Sequence, residues 1–322
     1  MDLSIPHTRG SGKFLQKEEN PPSNRLTLTM NLVPKIRTMT LVESLIALAF
    51  SAGLFAAEPG PVPVGTSVPI AQAKYIPQRK DDIAWENDRI VHRIYGPALE
   101  KSEPTGSGID VWVKSVRYPV IDKWYQNGQY HEDTGEGLDF YSVRKSRGCG
   151  GLGIWDGKTL SVSGHWQSYE IRETGGGRAV FVVSYAPWKL PDGHEVSETR
   201  TFTVTNGSNL TLCESTLRSD EPELVVGIGI AKRKDGELYQ NKESGVMAYW
   251  QSENPKNGYI GLGVIAPPQQ IVGFAEDELN NLVLVKAKPG IPFAYRTGAC
   301  WSKGSDFHSF EEWKNYLQQE EK

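Results

Sequence analysis

The stretch YHEDTGEGLDFY at residues 130–141 concentrates residue types that can do chemistry. It contains four carboxylates, one histidine, two tyrosines and two glycines in twelve positions. His131 changes charge near neutral pH and could serve as a general acid or base, with Tyr130 or Tyr141 supporting the proton transfer. The same stretch could instead hold a divalent ion, because its side chains offer mixed nitrogen and oxygen ligands: His131, Asp133, Glu136 and Asp139. A solvated, turn-rich connection is the third interpretation, since tight turns favour Gly135 and Gly137.

Cations and aromatic residues flank this stretch on both sides. Such a cluster predicts a pocket for a carboxylated ligand, because guanidinium and ammonium groups pair with carboxylates. The residues predicted to bind the substrate are Arg147, Lys123, Lys114, Trp124, Tyr125, Trp85 and Trp188. Tyr118 is a further candidate for proton transfer, and the supporting carboxylates that would orient the cations are Glu136, Asp139 and Asp133. Tryptophans could alternatively form platforms that stack on sugar rings: Trp85, Trp124, Trp155 and Trp188.

The composition of the 322-residue chain limits the class of partner. A formal charge of −4 and a pI near 5.9 provide no basic field for nucleic acid, so an acidic ligand requires a local cationic pocket. No cofactor is expected, apart from the alternative of a divalent ion near His131 and Asp133. The three cysteines allow one disulfide with a spare thiol, or are small buried hydrophobes: Cys149, Cys213 and Cys300.

The N-terminal segment has the order of features typical of a secretory signal peptide. Lys35 and Arg37 precede the apolar run LIALAFSAGLFAA (45–57), which is shorter than the ~20 residues of a membrane-spanning helix. We therefore predict an upstream extension or misread start at 1–29, a signal peptide at 30–57 and a Pro-rich mature segment at 58–79. The mature protein is expected to be periplasmic or secreted, without membrane association.

Turn residues and alternating apolar residues predict the elements that must position these side chains. Asn-Gly or Asp-Gly pairs occur at 127–128, 156–157, 192–193, 206–207, 235–236 and 257–258, and such pairs between alternating apolar runs indicate β-hairpins. The one expected helix is C-terminal, where Ser309 and Glu312 form a capping box and Phe310, Trp313 and Leu317 share a face. The pattern predicts a single antiparallel β domain over residues 80–322.

Nine segments carry a resemblance to a known family: KDDIAWENDRI, GPALE, SGIDVWVKSVRYPVIDKWY, YHEDTGEGLDFY, SRGCGGLGIW, YAPW, SETRTFTV, GSNL and SFEEW. The chain resembles a bacterial exported family catalogued as domain of unknown function 4861, associated with polysaccharide breakdown, some of whose members are similar to ulvan oligosaccharide dehydratases. The resemblance implies an all-β, galactose-mutarotase-like supersandwich, a fold that does not by itself select a function. Thr134 stands where the family pattern usually has a second histidine. If that histidine is secondary, His131 carries the catalytic role alone; if it is essential, the activity or the substrate of this chain differs.

The resemblance implies that the chain eliminates water across C4–C5 of a uronic acid at the non-reducing end of an acidic oligosaccharide. That reaction needs a cation to neutralise the carboxylate, a base for the C5 proton and an acid for O4. Arg, Lys, Tyr and His all occur between residues 114 and 147. The alternatives are a polysaccharide lyase, a mutarotase-like epimerase and a non-catalytic carbohydrate-binding protein.

Overall fold

The computed structural model describes residues 70–100, 102 and 106–320. Within these ranges, eighteen strands form three antiparallel sheets, accompanied by two α-helices and four short 3-10 helices. The prediction of an all-β sandwich with a short C-terminal helix is confirmed. The predicted upstream extension, the signal peptide and residues 58–69 lie outside the described residues. No helix of the described ranges is long and apolar enough to cross a membrane.

Sheet A comprises β1 (Gln72–Ile76), β2 (Asp82–Glu86), β3 (Val91–Ile94), β4 (Ile109–Lys114) and β5 (Gly137–Leu138). Its strands follow sequence order, β1-β2-β3-β4-β5. Sheet B comprises β8 (Trp166–Glu173), β9 (Arg178–Lys189), β10 (Glu195–Thr205), β11 (Leu210–Arg218), β13 (Glu237–Asn241), β14 (Val246–Gln251), β15 (Ile260–Ile265) and β18 (Phe293–Trp301). Its order is β13-β14-β15-β18-β11-β10-β9-β8.

Sheet C comprises β6 (Cys149–Trp155), β7 (Leu160–Ser161), β12 (Leu224–Ala231), β16 (Ile271–Glu276) and β17 (Asn280–Ala287). Its order is β16-β17-β12-β6-β7. The helices are α1 (Ile121–Asn127) and α2 (Phe310–Glu320), and the 3-10 helices are Pro77–Arg79, Pro97–Leu99, Pro255–Asn257 and Pro268–Gln270.

Alternation of apolar and polar residues builds the central hairpins of sheet B. In β9 and β10 every second residue is buried, and Phe181 and Phe202 are register partners whose rings stack at 4.7 Å. Gly207 adopts a φ of +83° in the turn to β11, a conformation that glycine tolerates without a Cβ penalty. The hairpins predicted at 192–193 and 206–207 are therefore confirmed.

Three predictions about the elements are wrong. The pair Asp235-Gly236 joins no hairpin, because β12 lies in sheet C and β13 in sheet B. The pair Asn127-Gly128 makes no hairpin: Gly128, at φ +65°, ends α1 and donates its N–H to the Trp124 carbonyl. The β domain also begins before residue 80, because β1 pairs with β2, with Tyr75 opposite Ile83. The connection between β1 and β2 contains the 3-10 helix Pro77–Arg79 followed by left-handed Lys80 and Asp81.

Helix α2 packs against sheet B as its sequence pattern predicts. Trp313 and Leu317 are fully buried and lie over Gly263 of β15, where a Cβ would approach Leu317 to 2.7 Å. Ser309 Oγ accepts the N–H of Glu312 at 3.3 Å, while the Glu312 carboxylate reaches back to the His308 N–H at 2.7 Å. The three cysteines are free and buried, as small hydrophobes would be: Cys149, Cys213 and Cys300.

Candidate functional site

The outer face of sheet A, opposite the main core, carries charged residues at alternate positions. Its residues are Asp82 and Glu86 from β2, Arg93 from β3, and Asp110 and Lys114 from β4, and each is at most 5% exposed. Helix α1 and the stretch 130–141, which we call the loop, cover this face through an aromatic cluster. Buried charges of this kind must be paired with opposite charges or hydrogen-bonded, since their desolvation is costly.

Arg93 lies at the centre of this buried network. Its guanidinium forms an ion pair with Asp110, and further contacts reach Asp139 at 3.2 Å and Asp82 at 3.5 Å. The same group lies 5.0 Å from the ring centroid of Trp112. Asp139 belongs to the loop, whereas the other partners belong to sheet A. Arg93 therefore ties the loop to the sheet.

The carboxyls around Arg93 outnumber the cations, and burial changes their protonation. Burial raises the pKa of Asp82 to about 6, although Arg93 opposes that shift. Burial, followed by the neighbouring charge of Asp110, raises the pKa of Asp139 well above its usual range. A cluster of this kind releases protons nearer to neutral pH than isolated aspartates do.

His131 stands at the edge of this network with one ring nitrogen fixed. Its Nδ1 lies 3.0 Å from the Asp139 carbonyl oxygen and 3.7 Å from the Asp139 carboxylate, and its side chain is 65% exposed. A carbonyl oxygen can only accept, so this bond requires a proton on Nδ1. In the neutral imidazole, Nε2 then carries the basic lone pair. His131 thus has the geometry of an oriented general base.

Tyr130 packs against His131, and Tyr125 and Arg79 are neighbours of Tyr130. The Tyr130 ring is 4.5 Å from the His131 ring and stacks on Trp112 at 4.7 Å. The Tyr125 hydroxyl donates to Asp82 at 3.2 Å. Arg79, from the first 3-10 helix, is only partly buried and lies within electrostatic range of Tyr130 and Asp82. The predicted residues Tyr130 and Asp139 thus contact His131, and Tyr125 packs on the Tyr130 ring.

The other half of the loop is organised by Glu136. Its carboxylate accepts from the Tyr118 hydroxyl, from Lys123 Nζ at 2.7 Å and from Trp124 Nε1 at 3.3 Å. Trp124 is 4% exposed and packs on Trp112, so it presents no open platform for a sugar. The predicted cation Lys123 is 55% exposed but is held by Glu136.

The loop glycines have the role that the sequence predicts. Gly135 and Gly137 adopt φ values of +94° and +127°, and a Cβ on Gly137 would lie 2.1 Å from the Val113 carbonyl oxygen. Asp133 Oδ1 accepts the N–H groups of Gly135 and Gly137 at 2.9 and 3.3 Å. Asp133 therefore shapes the turn.

The loop residues proposed as metal ligands have separate partners: the Asp133 carboxylate holds the turn, that of Glu136 binds Lys123, and that of Asp139 binds Arg93. Among residues 70–100, 102 and 106–320, one group of His, Cys, Asp or Glu residues has ligating atoms within 4.8 Å of one another: Asp192, His194 and Glu221. That group lies between β9 and β12, outside the loop.

Several predicted substrate residues are buried in structural positions, which corrects their assignment. Trp85 is fully buried against Phe181 and donates Nε1 to Thr211. Trp188, also predicted to bind substrate, is a 9% exposed member of the main core, and so is the predicted catalytic residue Tyr141, which is 3% exposed. The alternating strand pattern placed Trp85 and Trp188 on inner faces, which sequence alone could not distinguish from outer faces.

Lys114 is also buried, where it holds the start of α1. Its ammonium group pairs with Glu86 at 3.0 Å and donates to the Tyr118 carbonyl. Glu86 in turn accepts the backbone N–H groups of Val120 and Ile121. Lys114 therefore has a structural position rather than the predicted one in a substrate pocket.

Arg147 does not join Lys123 as a clamp. It is 1% exposed and donates to Ser107 Oγ at 3.1 Å. Its side chain packs against Gly229 of β12, where a Cβ would approach it to 2.6 Å. The predicted carboxylate clamp of Arg147 and Lys123 is therefore wrong.

Five residues of the site were missed as functional candidates: Arg79, Asp82, Arg93, Asp110 and Trp112. Part of their signal was present in the sequence, since DIAWE and IDVWVK each place two charged residues four positions apart. Residues at that spacing lie on the same face of a strand, so the two segments indicate a charged face of the sheet.

Comparison with known proteins assigns the chain to a family. The family described as "Domain of unknown function (DUF4861)" matches residues 24–322, so the chain belongs to it, as its motifs predict. It is 32% identical over 267 residues to "Uncharacterized protein P7" of Formosa agariphila. That alignment covers 77% of this chain and 66% of the relative, so the chain spans less than two thirds of the relative's length.

Among solved structures, the chain matches the crystal structure of 4-alpha-glucanotransferase from Thermococcus litoralis with a TM-score of 0.35 at 10% identity. The match covers 72% of this chain and 40% of the other. The score is too low to imply a shared function.

Proposed function

We propose that the chain is a dehydratase that eliminates water across C4–C5 of a uronic acid at the non-reducing end of an acidic oligosaccharide. The proposal rests on the geometry of His131. Its Nδ1 is hydrogen-bonded to the Asp139 carbonyl, while its side chain is largely exposed to solvent. Tyr130 lies directly beside it, and Arg79 interacts electrostatically with Tyr130. A base, a hydroxyl group and a cation are the groups that this elimination requires.

In the proposed reaction, Arg79 pairs with the uronate carboxylate and stabilises the charge that develops as the C5 proton leaves. His131 Nε2 takes that proton, the C5–H electrons form the C4=C5 double bond, and the C4–O4 bond breaks. In a glucuronate, H5 and O4 lie on the same ring face. The imidazolium can therefore return the proton to O4, which leaves as water, while the Tyr130 hydroxyl supports the transfer.

The buried network supports this role by fixing the loop. Asp139 is held by Arg93 through its carboxylate and holds His131 through its carbonyl. Its N–H also donates to the Tyr130 carbonyl at 2.6 Å. Preorganisation of this kind lowers the cost of positioning the catalytic group during the reaction.

The test is incubation of the purified protein with uronate-ended oligosaccharides of defined length. New ultraviolet absorbance with unchanged chain length supports a dehydratase, and absorbance with shortening indicates a polysaccharide lyase instead. Altered anomer exchange without absorbance would indicate a mutarotase-like epimerase. Binding without any turnover would replace the proposal with a non-catalytic module.

A carbohydrate-binding protein is the second candidate, and one groove favours it. Trp155 is only partly buried and lines an open groove of about 580 Å³ together with Leu190 and Leu224. An accessible tryptophan in such a groove can stack on a sugar face. If this groove is the principal site, Trp155→Ala should abolish oligosaccharide binding. If the loop is the principal site, Trp155→Ala should leave turnover intact.

The proposed substrate would be met outside the cytoplasm. The signal-like order of residues 30–57 supports export with cleavage near Ala57. N-terminal sequencing of the periplasmic protein is expected to begin just after that residue. A mature chain that begins near Met1 or Met39 would contradict export by cleavage.

A further inference from the structure

Two arginines are buried in the interior of the sandwich. Arg200 projects from the buried face of β10 in sheet B, and Arg147 packs on Gly229 of sheet C. Both lie within electrostatic range of each other and of Tyr185. Arg200 is 0% exposed, Arg147 is 1% exposed and Tyr185 is 3% exposed.

Positive charge exceeds negative charge at this place. Glu198 binds Arg200 through both oxygens, at 2.7 and 2.8 Å. Arg147 donates to neutral oxygens, Ser107 Oγ at 3.1 Å and the Lys145 carbonyl at 3.4 Å. No carboxylate of the described residues forms an ion pair with Arg147. A buried cation without a counter-charge is strongly unfavourable.

The carboxylate that acts on Arg147 from a distance is already engaged. Asp277 contributes electrostatically to Arg147, but its Oδ1 accepts the N–H groups of Leu279 and Asn280, each at 2.7 Å. Ser107 adds no charge, and its oxygen also accepts from Ser163 Oγ at 2.8 Å. Among the described residues, Glu198 is therefore the one carboxylate paired with either arginine, and it is bound to Arg200.

Several buried hydrogen-bond donors of β8, β9 and β10 have no partner among the described residues. They are Arg200 Nη1, the Tyr185 hydroxyl, Trp166 Nε1 and Trp188 Nε1. Trp166 and Glu198 are the register partners of Tyr185 on either side, and the Arg200 guanidinium lies 5.3 Å from the Tyr185 ring centroid. Buried donors are nearly always hydrogen-bonded, so this group indicates an acceptor.

We propose that Arg147, Arg200 and Tyr185 form a buried binding site for a small monovalent anion of the halide class. The groups are donors or cations, which excludes a metal ion as the ligand. Their burial favours an ion over a sugar ring, because the site has no exposed side. The ion would supply the missing counter-charge between sheets B and C. This site is separate from the loop and does not depend on the proposed dehydratase activity.

The test is thermal unfolding of the full protein in chloride or bromide against gluconate at equal ionic strength. The melting temperature should rise saturably with chloride and bromide but not with gluconate, because only the bound ion stabilises the folded state. A crystal soaked in bromide should show an anomalous peak between Arg147 and Arg200. Bromide only at the surface, or equal melting temperatures in all three salts, would overturn the site.

Three variants localise the effect. Tyr185→Phe removes one hydroxyl and should raise the half-saturating anion concentration about 10-fold, the loss expected for a hydrogen bond to a charged group. Arg147→Met should abolish the response, and Arg178→Met, an exposed arginine on β9 paired with Glu173, should retain it. If Arg147→Met fails to fold, Tyr185→Phe still decides: an unchanged half-saturating concentration contradicts the proposal.

Discussion

The two buried polar regions differ in the sign of their charge and in their access to solvent. On the outer face of sheet A, Arg93 faces the carboxylates of Asp82, Asp110 and Asp139. Between sheets B and C, Arg200 is paired with the carboxylate of Glu198, whereas Arg147 has no carboxylate partner among the described residues. The first region reaches solvent through His131, whereas the second is enclosed.

The sequence predicted the catalytic base and the arginine clamp in one site. The two regions separate these residues. The acid-rich region can orient a base at the surface, because Asp139 both belongs to the network and fixes His131. The cation-rich region can hold an anion, but a sugar cannot reach it. Base and arginine clamp were expected together, and the fold places Arg147 in the enclosed region instead.

The largest expected effect is that of Arg93→Met. Removal of this cation leaves Asp82, Asp110 and Asp139 buried without their counter-charge, which typically costs about 3–5 kcal/mol of unfolding free energy. Chemical denaturation measures the loss. The exposed pair of Arg178 and Glu173 provides the control, since Arg178→Met should cost about 0–1 kcal/mol. Equal losses in the two variants would show that the Arg93 network is not the organising element of sheet A.

Asp82 gives the acid-rich region a characteristic pH dependence. Because burial raises the pKa of Asp82 to about 6 from 3.8, its protonated form is favoured in the folded state. Its stabilising contribution is present below about pH 4 and is lost as pH rises to about 6. Wild type should therefore lose up to about 3 kcal/mol relative to Asp82→Asn across that range. Parallel unfolding free energies of the two proteins would contradict this.

The smallest effect is expected for Lys123→Met. Lys123 is 55% exposed and its pair with Glu136 is a surface ion pair, worth about 0–1 kcal/mol. Because Glu136 holds its ammonium group, we expect the KM for a uronate-ended substrate to change little, whereas Arg79→Met should raise it. A large rise in KM for Lys123→Met alone would restore Lys123 as the carboxylate clamp.

The elements set by local patterns could be predicted from the sequence. The hairpin at Asn206-Gly207, helix α2 and the turn at Gly135 and Gly137 each depend on residues a few positions apart. Helix α1 could not be predicted in this way. It has no side-chain cap of its own, and its first N–H groups are satisfied by Glu86, which lies 34 and 35 residues earlier in the chain.

Only part of the candidate site could be predicted from the sequence, because some of its contacts join residues that are far apart in the chain. His131, Tyr130 and Asp139 are close in sequence and meet in the structure. Arg93 reaches Asp139 across 46 residues, and the burial of Arg147 depends on Gly229 in another sheet. Neither relation is visible without strand order, because alternation fixes a side chain's face but not its neighbours across the sheet.

The turnover of His131→Ala on a uronate-ended oligosaccharide, followed by ultraviolet absorbance, tests the proposed chemistry most directly. His308→Ala is the matched control, since His308 is exposed and also bonds a backbone carbonyl, that of Ser302, at 3.1 Å through Nδ1. Circular dichroism should show that both variants are folded. We predict that His131→Ala loses about 10²–10⁴-fold in kcat while His308→Ala keeps wild-type turnover. Near-full turnover by folded His131→Ala would contradict the role of the loop as the site of elimination.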